Sequence, residues 1–213
     1  MSPSDSDDRV HQIAMRLRTA ARGRFEPFGV EFHGFQRRRR LTERQVAAFE
    51  RRHAVTLPPE YRAFVTGVAN GGAGPAYGLY SLAEAVTKEP RGRVPDDFLS
   101  TPFRHRRAYN PLEDPKLASF WRRVESGEIE EEEVDRRYLY QAAGTLVLCH
   151  EGCGILHVLV VTGPTRGQMW VDDRCNDLGL FPLEVGFFDW YERWLDSTLA
   201  GGDGIWWHGG LER

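Results

Sequence analysis

The stretch from Leu57 to Leu82, LPPEYRAFVTGVANGGAGPAYGLYSL, decides how the chain folds. Pro58 and Pro59 predict a helix start, because a proline in the first helical turn leaves no intrahelical hydrogen bond unmade. Asn70 to Gly72 predict the end of that helix, since Asn and Gly tolerate the left-handed backbone in which helices often finish. Between the two signals, apolar residues at helical spacing predict one buried face: Tyr61, Phe64, Val65 and Val68.

The second half of this stretch predicts an irregular turn and then a new helix. Three residues interrupt any regular element: Gly74, Pro75 and Gly78. Ser81 and Glu84 then match the capping box that begins a helix, and upstream Thr42 and Gln45 match another. The stretch therefore predicts a helix laid against a core, followed by a sharp turn. Nothing in it indicates catalysis.

The C-terminal half adds a sheet and a covering helix. Short apolar runs at 145–150, 155–162 and 168–172 predict an antiparallel meander. The middle run is apolar on both faces, which is typical of a strand covered on both sides. An apolar stripe in 187–199 predicts a helix that faces the core. We therefore predict an α+β fold: a central, largely antiparallel sheet covered by helices, in a single domain with a helical elaboration.

Four blocks of sequence carry a resemblance to a known family. They are LTERQVAAFERRHAVTLPPEYRAF at 41–64, GGAGPAYGL at 71–79, EGCG at 151–154 and WYERWL at 190–195. In this order they resemble the SUKH superfamily, bacterial toxin-immunity proteins that share a fold with fungal cell-wall assembly regulators. The resemblance implies a structural motif made of Leu57, Pro58, Tyr61, Gly71, Gly72, Gly74, Pro75, Gly78, Gly152, Gly154, Trp190 and Trp194.

The same resemblance implies how the chain is divided. We expect an N-terminal helix at 1–24, a SUKH-like domain at 25–199 and a C-terminal tail at 200–213. Residues 110–143 have no counterpart in the matching blocks, so we interpret them as a helical insertion. Two further segments carry their own predictions: the partly alternating aromatic residues of 25–35 predict a strand or strand pair, and 88–111 predicts a long surface loop.

Composition limits the classes of protein that the chain can belong to. The chain has 213 residues, 41% of them hydrophobic, and three cysteines, an odd count that does not suit a disulfide framework. It contains no apolar run of membrane-spanning length and no hydrophobic signal segment near Met1. These features predict a cytoplasmic globular protein without membrane attachment.

The charge is unevenly distributed along the chain, although the net charge is only −3. Residues 1–109 contain 19 basic and 12 acidic residues, whereas 110–213 contain 9 basic and 19 acidic residues. The two halves either form faces of opposite charge or interleave in space. The basic runs Arg37–Arg40 and Arg104–Arg107 lack a glycine-rich cradle or an array of stacking aromatics, so we do not expect a nucleic-acid partner.

Two sequence patterns suggest chemistry. Asp172 and Asp173, with Glu151 and Asp177, could form a carboxylate pair or a cation site, but their position at loop ends favours a solvated rim. The cysteine-rich hairpin is the other. Cys149, His150 and Cys153, with the distant Cys175, could supply metal ligands. Cys149 and His150 would point to opposite faces of a strand, however, and no nucleophile signature accompanies Cys153. We therefore predict no metal, no cofactor and no catalytic residue.

These observations favour a non-enzymatic protein-binding domain. The family resemblance makes its most concrete form an immunity protein that neutralises a cognate toxin, such as a nuclease, by occlusion. Carboxylates at loop ends and on one predicted helix would meet a basic toxin: Glu130, Glu131, Glu132, Glu133, Asp172, Asp173 and Asp177. The alternatives are a cytoplasmic regulatory scaffold of the cell-wall-regulator type and a metal-dependent enzyme that uses the Cys149–Cys153 region.

Overall fold

A computed structural model describes residues 3–88 and 94–207 as helices packed on one antiparallel sheet. Within these ranges the helices are α1 Pro3–Arg22, α2 Val30–His33, α3 Glu43–His53, α4 Pro59–Gly67, α5 Leu82–Thr87, α6 Ala118–Glu125, α7 Glu131–Gln141 and α8 Phe187–Leu199. The strands are β1 Thr145–Gly152, β2 Ile155–Val160, β3 Gln168–Asp173 and β4 Gly179–Gly186. Short 3-10 helices occupy Pro115–Leu117 and Arg174–Asn176. The predicted α+β architecture is confirmed.

The sheet is a four-stranded meander in the order β1-β2-β3-β4, with every neighbouring pair antiparallel. The first three strands follow the sequence prediction. The fourth was not predicted, because Pro182 interrupts its pattern and a proline removes a donor from the ladder. β4 tolerates Pro182 because it lies at the edge of the sheet.

Both edges of the sheet are covered by irregular segments. At the β1 edge, the amide of Tyr77 donates to the carbonyl of His150 at 3.2 Å, and Tyr80 donates to Leu148 at 2.8 Å. At the β4 edge, Tyr109 and Leu180 exchange two backbone hydrogen bonds of 2.8 Å. These contacts occupy edge groups that would otherwise be open to pairing with another chain.

The core lies on both faces of the sheet. On one face α1, α4 and α8 bury their apolar stripes, and the four predicted face residues of α4 are each at most 3% exposed. On the other face, residues of all four strands pack around Phe103 and Trp170. Both capping boxes are confirmed, since Thr42 pairs reciprocally with Gln45 and Ser81 with Glu84.

The prediction of a strand at 25–35 is wrong. This segment contains the one-turn helix α2, which lies between Gly29 and Gly34, both in left-handed backbone conformations with φ of 78° and 49°. Left-handed residues end an extended run, so the alternation of aromatic residues here does not produce a strand. Phe32 in α2 is 62% exposed and faces solvent.

The predicted surface loop at 88–111 is only partly a surface segment. Phe98, Leu99 and Phe103 are each at most 3% exposed, and the amide of Phe103 bonds the carbonyl of Thr162 at 3.0 Å. These large apolar side chains stabilise the segment by leaving water, so it covers the sheet. Residues 89–93 of the same prediction lie outside the described residues.

The two oppositely charged halves of the chain interleave where α1 packs near α8. The guanidinium of Arg9 contacts carboxylate oxygens of Asp189 and Glu192, each at 2.5 Å, and Arg16 pairs with Asp196. Basic residues of the first half therefore neutralise acidic residues of the second half on this side. Within the described ranges, no helix combines the length and apolar character needed to cross a bilayer.

Candidate docking surface

Four rings form a connected group at the end of the sheet where β1 turns into β2. The ring centres of Phe32 and Tyr77 are 4.3 Å apart, those of Phe28 and Tyr77 5.6 Å, and those of Tyr77 and His150 5.5 Å. Phe32 is 62% exposed and Phe28 37%, while Tyr77 and His150 are half-buried. We call Phe28, Phe32, Tyr77 and His150 the aromatic ridge.

Backbone contacts hold the ridge in place. A Cβ at Gly29 would lie 2.1 Å from the carbonyl oxygen of Ala76, so only glycine lets α2 approach the turn that carries Tyr77. The amide of Phe28 donates to the carbonyl of Asp203 at 2.8 Å. His33, on the inner side of α2, accepts a 3.0 Å hydrogen bond from the amide of Phe35 through Nδ1. The ridge is therefore fixed to the core and is not an isolated loop tip.

The surface continues from the ridge into the β1–β2 hairpin. A Cβ at Gly152 would lie 2.8 Å from the Tyr77 hydroxyl. The carbonyl of Cys153 accepts from the Cys175 thiol at 3.2 Å and from Asn176 Nδ2 at 3.1 Å. Two residues after Asn176 along the chain, Leu178 is 56% exposed. The hairpin thus contacts the ridge at Tyr77 and the 3-10 helix that precedes Leu178.

Exposed carboxylates accompany these apolar groups. Glu31 precedes Phe32 on α2, Asp203 bonds the backbone of Phe28, and Asp177 precedes Leu178. We call Glu31, Asp177 and Asp203 the carboxylate rim. Exposed aromatic groups rimmed by charge are typical of protein-interaction surfaces. A rim of this sign favours a basic partner.

The structure separates the acidic residues that the sequence proposed as one contact face. Glu130, Glu131 and Glu132 are exposed at the N-terminal end of α7. Glu133 is half-buried and lines a groove of about 850 Å³ whose wall also contains Arg104, Lys116, Arg136 and Arg137. The run is therefore not a uniformly acidic surface.

The expectation that Asp172 and Asp173 lie on a solvated rim is wrong, because each is 3% exposed. Asp172 makes a two-pronged contact with the buried guanidinium of Arg174, at 2.7 Å to Nε and 2.5 Å to Nη2. Asp173 accepts from Asn176 Nδ2 at 2.6 Å. Both residues are the last two of the buried strand β3, which leads directly into a 3-10 helix, so their side chains stay inside. Of the three aspartates proposed, Asp177 alone is exposed.

The motif residues implied by the family resemblance support the backbone. Leu57, Tyr61, Trp190 and Trp194 are each at most 2% exposed, and Pro58 and Pro75 are buried. Of the motif glycines, those in left-handed backbone are Gly71, Gly72, Gly78, Gly152 and Gly154. Gly74 contacts the side chain of Leu79, where a Cβ would lie only 2.6 Å from Cγ. These residues shape the turn and the core that carry the ridge.

Two of the three cysteine thiols are shifted away from the thiolate form. Cys149 is fully buried, and burial raises the pKa of its thiol well above the ordinary value. Burial also raises the pKa of Cys175. Neither thiol is thereby activated as a thiolate nucleophile. Across the described ranges, no group of three or more His, Cys, Asp or Glu side chains is arranged to hold a metal ion.

A buried polar cluster lies behind the hairpin. Glu151 Oε2 is 3.1 Å from His157 Nε2 and accepts from Trp207 Nε1 at 2.8 Å, while Trp190 Nε1 donates to His157 Nδ1 at 3.2 Å. Both ring nitrogens of His157 are thus engaged, and the ring is 0% exposed. The role of this cluster is to attach the C-terminal tail to the sheet through Trp207.

The chain was compared with protein-family models, with curated proteins and with solved structures, and none of the three comparisons gives a match.

Sequence reasoning missed the two most exposed members of the ridge. Phe28 and Phe32 both lie in the predicted strand. Gly29 and Gly34 on either side of Phe32 are the sequence signal for a one-turn element. Tyr77, by contrast, belongs to the turn that the sequence identified.

Proposed function

We propose that this chain is a non-enzymatic protein-binding module that covers a basic surface of its partner with the aromatic ridge and the carboxylate rim. The observation that carries the proposal is Phe32, which is 62% exposed yet packed 4.3 Å from Tyr77 on a backbone fixed to the core. A large apolar side chain held rigidly in water loses little conformational entropy when a partner covers it. Such residues commonly dominate binding energy.

If the chain is an immunity protein, its partner is a toxin with a basic surface. A toxin that acts on nucleic acid needs a basic groove to hold phosphates, and carboxylates at Glu31, Asp177 and Asp203 complement such a groove. The aromatic ridge would supply the desolvated centre of the interface, and the carboxylates would direct the approach. Inhibition would then be steric. The resemblance to SUKH proteins supports this form of the proposal.

The exposed acidic residues of α7 add a long-range contribution. Glu131 and Glu132 lie in the first turn of that helix and are exposed. Charges outside the desolvated centre mainly change the rate of association and its dependence on salt. We therefore propose that Glu131 and Glu132 speed the approach of the partner, whereas the ridge supplies most of the binding free energy.

The proposal is tested by capturing a binding partner from cell lysate on the immobilised chain and then measuring the rate at which the purified partner associates with it. Replacing Asp177→Lys and Glu131→Lys should each slow association by about threefold to tenfold and weaken its dependence on salt, because the complementary charge is reversed. Arg51→Glu, on the exposed side of α3, serves as a charge-reversal control. If neither substitution changes association, or if the captured partner is acidic, the proposal is wrong.

A further inference from the structure

The arginine run at 37–40 does not stand alone in the folded protein. Arg18, from α1, lies beside the run, and together they line a groove of about 620 Å³. The remaining lining residues are uncharged: Ala14, Gln36, Gly67 and Val68. Five arginines thus line one groove whose described lining contains no carboxylate.

Most of this charge is not neutralised by the protein. Arg38 pairs with Glu84. Across residues 3–88 and 94–207, no carboxylate oxygen lies within 4.0 Å of a guanidinium nitrogen of Arg18, Arg37, Arg39 or Arg40. Like charges gathered in this way repel one another, so an anion that enters the groove relieves the repulsion.

The backbone under the arginines is held in an extended form. Arg37 pairs with Gly72, the amide of Arg38 donates to the carbonyl of Gly71 at 3.1 Å, and Leu41 donates to Val65 at 2.9 Å. In an extended segment, residues two apart are separated by about 7 Å. Arg37 and Arg39 therefore lie on the same side of the segment about 7 Å apart, a spacing that suits an elongated polyanion better than one compact anion.

The apolar content of the groove distinguishes between two kinds of polyanion. A protein partner is normally held by exposed aromatic or large apolar anchors. Among the described residues, the exposed large apolar side chains are Met15, Phe28, Phe32, Leu112 and Leu178, and none of them lines this groove. Binding to a nucleic-acid backbone needs only cations, and guanidinium matches phosphate in a two-pronged geometry.

We propose that Arg18, Arg37, Arg39 and Arg40 form a site that binds the phosphate backbone of nucleic acid without regard to sequence. The groove has no aromatic lining residue on which bases would stack, so affinity comes from the release of counterions. This site is separate from the aromatic ridge, and either function can fail without the other. The sequence alone did not favour it, because the run has neither a glycine-rich cradle nor stacking aromatics, but a site that binds only the phosphate backbone needs neither.

The test uses the full chain and fluorescence anisotropy with labelled single-stranded RNA and double-stranded DNA of the same length. With four phosphates neutralised, raising salt from about 50 to 200 mM should weaken binding to single-stranded RNA about 50-fold. The triple variant Arg18→Ala, Arg37→Ala, Arg39→Ala should lose at least about tenfold in affinity, and its logarithmic salt slope should fall by about 2. The two probes establish whether single-stranded or duplex backbone is preferred.

The matched control removes three exposed arginines elsewhere: Arg44→Ala, Arg51→Ala, Arg107→Ala. It should retain most of the affinity, and circular dichroism should show that both triple variants fold. The proposal is overturned if the wild-type chain does not bind either probe, or if the two triple variants bind equally. Displacement of RNA by poly-glutamate at equal charge concentration would also overturn it, because the groove would then be a site for acidic protein.

Discussion

The ring of Phe32 packs 4.3 Å from the ring of Tyr77, and this contact joins the one-turn helix α2 to the glycine-rich turn beside the sheet. Tyr77 is in turn bonded through its amide to His150 of the edge strand. An exposed aromatic side chain is thereby connected to the sheet in two steps. Phe32 is therefore packed against the body of the protein, although most of its surface faces water.

The tail should be attached chiefly by the indole of Trp207. Trp207→Phe removes the donor to Glu151, which is buried, so we expect a loss of about 2 kcal/mol in the free energy of unfolding. Trp206→Phe is the matched control, because its indole nitrogen is buried without a hydrogen-bond partner among the described residues. Urea denaturation measures both variants. Equal losses for the two would show that the hydrogen bond to Glu151 does not attach the tail.

His33 should make stability depend on pH below neutrality. Burial lowers the pKa of His33 to about 4, although nearby Glu31 acts in the opposite direction. The unfolded chain binds this proton at about pH 6.5, so stability is complete above that pH and falls as the pH drops from about 6.5 to 4. At pH 5 the loss amounts to about 2 kcal/mol.

His33→Asn isolates this effect, because the amide oxygen can still accept from Phe35 while the titrating ring is removed. The free energy of unfolding should be measured for both proteins between pH 7.5 and 5. The wild type should lose about 2 kcal/mol more than the variant over this interval. Parallel curves would mean that His33 has an ordinary pKa in the folded protein.

Asp172 and Asp177 should behave differently although both were proposed as contact residues. Asp172→Asn leaves the buried guanidinium of Arg174 facing a neutral partner and should cost about 3 kcal/mol in the free energy of unfolding. Asp177→Asn should change it by no more than about 0.5 kcal/mol, since the side chain is exposed and Asn tolerates its left-handed backbone. Thermal unfolding compares the two directly. Similar stabilities would contradict the assignment of Asp172 to the interior.

Much of the fold could be predicted from the sequence because local and tertiary signals agree. The aromatic stripe of α8 specifies both the helix and its buried face, and Thr42 with Gln45 specifies where α3 begins. β4 could not be predicted because it contains Pro182. A strand tolerates proline at the edge of a sheet, and only the assembled sheet shows that β4 lies at the edge. Gly74, Pro75 and Gly78 themselves predicted the irregular turn, which lies beside the ridge.

The candidate site was harder to predict, because its residues meet only after folding. The sequence alone predicted that Asp172 is exposed. In the structure it is buried in an ion pair with Arg174. Phe32 looked like part of a strand until the left-handed glycines at 29 and 34 isolated one helical turn. Arg18 and Arg37 share a groove that is set by how α1 packs on the core. Of these three cases, only the groove shared by Arg18 and Arg37 depends on contacts between distant parts of the chain, and no local pattern indicates it.

The most direct test of the protein-docking proposal compares Phe32→Ala with Met15→Ala as baits for the same basic partner. Met15 is a suitable control, because it is 52% exposed on α1 and does not belong to the ridge. Both substitutions should change the free energy of unfolding by less than about 1 kcal/mol. Phe32→Ala should weaken binding at least about 30-fold while Met15→Ala binds like the wild type. If Phe32→Ala binds the partner as tightly as Met15→Ala does, the aromatic ridge is not the docking surface.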